Sequence, residues 1–190
     1  MPRPLYKYRS LSNFQYFEDI ILNNRLYATI YSNQNDADEG YYFHTEITVP
    51  EDIRELTYLE KQRVRFCSLS RERHHRLLWG HYADGGRGIN IALEVNDSTI
   101  IAERNIQYEG LLEYSEYVNI SPNRRVIDIL SRKMPEWEYE RENRYFTYND
   151  YISVDIREII LGSRISPENE DRVRTLVADN NPNIIIERQP

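Results

Sequence analysis

The sequence predicts an α+β fold, a single domain over residues 1–190 with a mixed central sheet and flanking helices. Three observations carry that expectation. Segments of strand and helix character follow one another without regular βαβ alternation, which argues against a doubly wound sheet. Apolar and charged fractions of 40% and 29% are those of a globular chain and not of a disordered one. No repeat, low-complexity tract or Gly/Ser linker divides the chain.

Taken in order, Phe14, Phe17, Ile20 and Ile21 recur at helical spacing behind Ser12, a candidate N-cap, and Asn23-Asn24 closes that helix. Residues 26–31 are rich in β-formers and predict a strand, and 32–40, dense in Asn and Asp, an acidic loop. A helix is expected over 50–62, a strand over 64–68, and a helix over 71–82 that ends before Asp84-Gly85-Gly86. β character resumes over 87–95, with shorter strands expected at 106–108 and 111–118. Val126, Ile129 and Leu130 lie at helical spacing after Ser121-Pro122, in a helix that stops before Pro135. Residues 143–148, 152–154, 156–161 and 184–187 read as strands, with a helix over 168–178.

Charge narrows the functional choices. With 31 acidic residues against 24 Lys and Arg, the net charge is -7, so the average field repels phosphate backbones and gives little basis for non-specific nucleic-acid binding. The densest cationic run, Lys61, Arg63, Arg65, Arg71, Arg73 and Arg76, reads as a solvated face and leaves room for a local basic pocket. The single cysteine, Cys67, lies in an apolar strand pattern. It excludes an intrachain disulfide and a cysteine-rich zinc site, and predicts inert packing in a reducing compartment. No stretch approaches the roughly 20 apolar residues of a membrane helix, and the first residues lack the apolar core of a signal peptide. A soluble, cytoplasmic protein with no membrane partner is expected. His44 is distant from the adjacent His74 and His75, so no metal is expected. The 16 tyrosines each offer a ring and a hydroxyl, most of them to core or half-buried strands.

Two stretches hold residues suited to chemistry. Trp137-Glu-Tyr-Glu-Arg-Glu-Asn-Arg144 runs into the strand expected from 143. In extended backbone Glu138, Glu140 and Glu142 share one face. Carboxylates so close repel one another. They suit either a site that stabilises a developing cation beside a proton acceptor, or a solvated strand edge partnered by Arg141 and Arg144. The second stretch is Cys67-Ser-Leu-Ser70 followed by Leu78-Trp-Gly-His-Tyr-Ala83. Its strand-end serines offer hydroxyls, and His81 sits about 100° around the helix from Tyr82, where it can reach a cleft. Trp79 and Tyr82 suit core packing. Gly85, Gly86 and Gly88 follow a helix and open a strand, the reverse of a dinucleotide fingerprint. No P-loop, His-Glu-x-x-His or Gly-x-Ser-x-Gly motif occurs.

In order and spacing, several pieces resemble the bacterial and phage domain-of-unknown-function family 2971, over nearly the whole chain. They are Tyr6-Lys7-Tyr8-Arg9, Asn35-Asp36 with Glu39, Leu69-Ser70, Trp79 with His81-Tyr82-Ala83 and Gly88, Trp137 with Glu140, Glu142 and Arg144, and Ile160-Leu161-Gly162. Gln34 stands where that family usually has an aromatic, Ala37-Asp38 where Pro-Phe is common, and Gly86 where a His is often seen. The architecture in turn resembles the ADP-ribosyltransferase superfamily. Arg9, Ser70 and Glu142 follow the order of its early-strand Arg, its Ser-bearing strand and its late Glu, and Glu140-Arg141-Glu142 is similar to its Glu-x-Glu motif. The resemblance implies a split sheet, NAD as substrate without a metal, and transfer of ADP-ribose to a macromolecular or small-molecule acceptor, or NAD hydrolysis, in phage–host conflict. It implies Glu142 as the catalytic carboxylate at the nicotinamide ribose and Glu140 as the group that orients or deprotonates the acceptor. NAD would be bound by Arg9 at the pyrophosphate or adenosine-side ribose, by Ser70 at a ribose hydroxyl, and by the rings of Tyr8, Trp79 or Tyr82, with His81 in reach of the same cleft. Two other readings fit the composition: an acidic, tyrosine-rich binding protein that blocks a partner, and a nucleotide sensor that binds without turnover.

Overall fold

The computed structural model describes residues 4–44, 49–113 and 120–189. The fold is α+β with mainly antiparallel strands. In chain order the elements are β1 (Leu5–Arg9), α1 (Phe14–Asn23), β2 (Arg25–Tyr27), β3 (Tyr42–Phe43), α2 (Glu51–Arg63), β4 (Arg65–Ser70), α3 (Arg76–Tyr82), β5 (Ile89–Val95), β6 (Ala102–Asn105), β7 (Leu112–Glu113), α4 (Pro122–Ile129), β8 (Glu142–Thr147), β9 (Tyr151–Leu161), α5 (Pro167–Asn180) and β10 (Ile185–Arg188). Among the described residues no helix is long and apolar enough to cross a membrane. The chain forms two compact units, each assembled from separate stretches: Met1–Leu26, Leu69–Ser98 and Tyr151–Pro190 in the first, Tyr27–Ser68 and Thr99–Asp150 in the second.

In the first unit the strand order is β10, β9, β5, β1 and the end of β4, with only β10 parallel to its neighbour. β1 pairs β5 from Leu5↔Leu93 to Arg9↔Ile89, and its alternation buries Tyr6 and Tyr8 while Lys7 and Arg9 stay partly exposed. β9 alternates from Tyr151 to Arg157 and is then buried at Ile159, Ile160 and Leu161, as a stretch covered on both faces must be. α1 turns Phe14, Phe17, Ile20 and Ile21 inward and packs against α5, whose Val173 and Val177 are buried. Ser166 caps α5 by accepting from the Asn169 N–H at 3.2 Å. Two glycines let three chain segments touch. A Cβ on Gly88 would lie 2.1 Å from the Arg9 carbonyl oxygen, and one on Gly162 would lie 2.2 Å from that of Gly86, so only glycine fits either place.

In the second unit β4, β8 and β6 lie side by side, and β6 pairs β8 antiparallel from Ala102↔Phe146 to Asn105↔Asn143. Its core gathers Val64, Phe66, Val126, Ile127, Leu130 and Phe146, with α2 packed along α4. Cys67 is buried in β4.

Several local expectations change. The strand over 26–31 shortens to β2, and the chain then makes a single bridge from Thr29 to Phe66 before a 3₁₀ turn at Tyr31–Asn33. The helix over 71–82 forms only as α3, because side chains bind the backbone ahead of it. The Tyr8 hydroxyl donates to the Glu72 carbonyl and accepts from the His75 N–H, and Asn90 Nδ2 donates to the Arg73 carbonyl. The strand expected at 106–108 lies instead at Ala102–Asn105. Of the strand over 111–118, β7 is seen and residues 114–118 lie outside the described residues. The cationic run forms no single face: Lys61 is buried with Nζ donating to the Gly40 carbonyl at 2.6 Å, Arg65 pairs with Asp150, and Arg73 pairs with Glu158 and Glu187.

Candidate functional site

The first unit carries a groove of about 280 Å³ where the end of β1 meets the start of α1 and the end of α3. From β1 come Lys7, Tyr8 and Arg9, and from α3 come His81 and Tyr82. Ser10, Ser12 and Asn13 join them from the connection into α1, together with Tyr16 on the first turn of that helix. β1 alternation sends Lys7 and Arg9 to the side opposite the buried Tyr6. The Ser10 and Ser12 hydroxyls bond each other at 3.0 Å, and Ser10 Oγ accepts the Ser12 N–H at 3.1 Å, which shapes the bend into α1. Asn13, the N-cap, makes no side-chain capping bond, so the positive end of α1 adds to the field of the lining residues. The Arg9 guanidinium lies 5.8 Å from the centre of the exposed Tyr16 ring, and the His81 and Tyr82 rings meet edge to face at 6.2 Å. Two cationic side chains, Lys7 and Arg9, with His81 beside them and no Asp or Glu among the described residues, line this groove, in a chain whose net charge is -7. Anions concentrate in such a place, and exposed rings beside them suit a planar group.

Four of the six residues expected to bind a cofactor, Tyr8, Arg9, His81 and Tyr82, are therefore brought together. Ser70 and Trp79 are not among the lining residues. Ser70 Oγ accepts from the Glu72 N–H at 3.0 Å and forms a turn of the 71–75 segment. Trp79 is buried with its ring edge-on to Tyr8 at 5.2 Å, and its indole N–H finds no acceptor among the described residues. Trp79 thus packs on a lining residue, and Ser70 bonds the segment that the Tyr8 hydroxyl also holds. Tyr8 borders the groove from β1 although its side chain is buried, and its hydroxyl, pushed above the usual tyrosine range by burial, ties down Glu72 and His75.

The two expected catalytic carboxylates belong to the second unit, where they are built into its interior. Backbone alternation does not place Glu138, Glu140 and Glu142 on one face, because Pro135–Glu140 is a 3₁₀ turn and Arg141 is left-handed at φ 42° before β8 opens at Glu142. Glu140 and Glu142 nonetheless approach each other, across a shared cation. Lys133 Nζ lies 2.7 Å from Glu140 and 2.9 Å from Glu142. Arg144 Nε donates to Glu142 at 2.5 Å, and its two terminal nitrogens fork onto Glu39 at 2.6 and 2.7 Å. One of these also donates to the Leu130 carbonyl at 2.6 Å, and the guanidinium plane lies 4.3 Å from the Phe66 ring centre. Burial alone would raise the Glu142 pKa, but Arg144 and Lys133 outweigh it and hold the carboxyl well below the usual range. Burial likewise opposes the charge on Lys133, yet Glu142 and Glu140 keep its ammonium protonated well above the usual lysine range. Arg144 is one of the two arginines expected beside these acids, in a buried cluster and not at a solvated edge, and Glu39 and Lys133 are the missing partners. Glu39 and Arg144 stand among the residues of the family resemblance, whereas nothing in the sequence marks Lys133.

Comparison with protein-family models, curated proteins and solved structures finds no match to this chain.

Proposed function

We propose that this chain binds a nucleotide in the groove of its first unit, with a phosphate held by Arg9 and Lys7 beside His81 and a base or nicotinamide ring against Tyr16 or Tyr82. The observation that supports this reading most is the reversal of charge: Lys7 and Arg9, and no acid among the described residues, line the groove of an acidic chain. The guanidinium fork of Arg9 suits phosphate oxygens, and the serine hydroxyls suit a ribose. A volume of about 280 Å³ lies at the lower edge of the roughly 300–1,000 Å³ of small-molecule sites, so it takes one nucleoside phosphate moiety and leaves the remainder of a dinucleotide outside. NAD or its ADP-ribose part is the ligand the superfamily resemblance suggests. Transfer of ADP-ribose would need Glu142 released from Arg144 and Lys133. Binding without turnover needs no such release, and a nucleotide sensor is the reading we favour.

Calorimetric titration with NAD, ADP-ribose and AMP tests it, alongside an assay for released nicotinamide. Loss of a hydrogen bond to a charged group costs about 1.5–3 kcal/mol, so Arg9→Ala should weaken binding roughly 10- to 150-fold. No heat with any of these ligands, or wild-type affinity in Arg9→Ala, would overturn the assignment. Nicotinamide release that disappears in a folded Glu142→Gln variant would restore the transferase.

A further inference from the structure

The sequence of α2 is turned inside out. Its inward side is polar: Thr57 donates to the Ile53 carbonyl at 2.7 Å, Glu60 accepts from the Tyr148 hydroxyl at 2.5 Å, and Lys61 donates to the Gly40 carbonyl at 2.6 Å. Leucines face water instead, with Leu56 47% and Leu59 51% exposed. Asp52, Leu56, Leu59 and Arg63 are all exposed and stand at i, i+4, i+7 and i+11, which is one stripe of a helix.

We infer that two copies of this chain pair through this stripe, their α2 helices antiparallel about a two-fold axis. The stripe reads acid, leucine, leucine, base, and is its own complement when reversed. Antiparallel overlay sets Asp52 against Arg63 of the second copy at both ends and Leu56 against Leu59 in the middle. Parallel overlay sets like charges together. A two-fold interface requires a surface that matches itself, and an unrelated partner would have no need of this palindrome. Arg63 keeps one N–H on Glu60 at 3.3 Å and stacks 5.4 Å from the Tyr148 ring centre, but 71% of its side chain is exposed and a guanidinium has five donors. A contact confined to one 13-residue helix, about 20 Å long, is smaller than the roughly 800 Å² per partner of a standard interface. The association is therefore weak and depends on concentration.

Sedimentation equilibrium of the full chain tests this independently of nucleotide binding. The wild type should show a monomer–dimer equilibrium. Asp52→Arg alone and Arg63→Asp alone each place like charges at both ends and should weaken the dimer at least about tenfold. An equimolar mixture of the two variants should recover it, because every end then meets an opposite charge. Leu56→Lys should abolish it. All three positions are exposed, and circular dichroism verifies that each variant is folded. A wild type that stays monomeric at its solubility limit overturns the inference, as does dimerisation unaffected by Leu56→Lys. Failure of the mixed variants to associate excludes the antiparallel arrangement.

Discussion

Arg9 and Arg144 carry the same guanidinium and sit in opposite circumstances. Arg144 has no exposed surface and meets two carboxylates and a backbone carbonyl, while Arg9 is partly exposed on a groove lined without an acid. Desolvation explains the difference in what each can do. A charge taken out of water persists only when partners replace its hydration, so every donor of Arg144 is committed within the unit and the group acts as a structural tie. A partly exposed cation keeps part of its hydration and can exchange that part for a diffusing anion. The same contrast separates the carboxylates of the buried cluster from those on the surface.

The largest effect expected from this contrast follows from breaking the buried tie. Arg144→Met removes one cation and leaves Glu39 and Glu142 buried, which costs about 3–5 kcal/mol when one partner of a buried pair is lost. Arg9→Ala removes a partly exposed side chain and should cost no more than about 1 kcal/mol. Urea unfolding midpoints read both. Equal losses in the two variants would erase the distinction between tie and binding group.

How much of this was legible beforehand depends on the range of the interaction. α1 and β5 announce themselves locally, the helix by the spacing of Phe14, Phe17, Ile20 and Ile21 and the strand by its β character over 87–95, although Asn13 takes the cap position expected of Ser12. α3 is shorter than its pattern because Tyr8 and Asn90, distant in sequence, bind the backbone of 71–75. Although Tyr6, Lys7, Tyr8 and Arg9 alternate along one wall of the groove, no strand is expected there from the residues, and only the resemblance puts Arg9 on one. The serines and Tyr16 at the start of α1 have no signature that separates a lining residue from an ordinary helix entry. The carboxylate cluster shows the same limit. Glu140 and Glu142 stand out as charges too close to coexist, but the sharing of Lys133 between them and of Arg144 between Glu142 and Glu39 is a tertiary fact. Division into two units leaves no composition boundary, because the stretches of each are interleaved along the chain.

A smaller effect sharpens the comparison through pH. The Glu142 carboxyl is depressed in the folded state, so its stabilisation is complete above the unfolded value near 4.3 and is lost as pH falls toward the folded value. The Lys133 ammonium is raised, so its contribution is complete below about 10.4 and is lost as pH rises through the folded value. The cluster therefore gives a plateau between these limits with a decline on each side. Below about pH 4 the unfolding free energy of the wild type should drop by about 2 kcal/mol more than that of Glu142→Gln, which has no proton to take up there. Identical acid slopes in the two proteins would show that Glu142 is not held ionised by its neighbours.

The smallest effect tests the border between the groove and its supports. Tyr8→Phe keeps the ring edge-on to Trp79 but deletes the hydroxyl that donates to the Glu72 carbonyl and accepts from the His75 N–H. Loss of such a part-buried bond should lower stability by about 1 kcal/mol, read again from the urea midpoint. The hydroxyl proton is committed to the Glu72 carbonyl and one lone pair to the His75 N–H, so it has no donor to spare for a phosphate oxygen. Nucleotide affinity should consequently change by less than about threefold, well short of the loss in Arg9→Ala. An affinity loss as large as that of Arg9→Ala would move the Tyr8 hydroxyl from the supports to the ligand, and the segment 71–75 would then be free to shift when the groove fills.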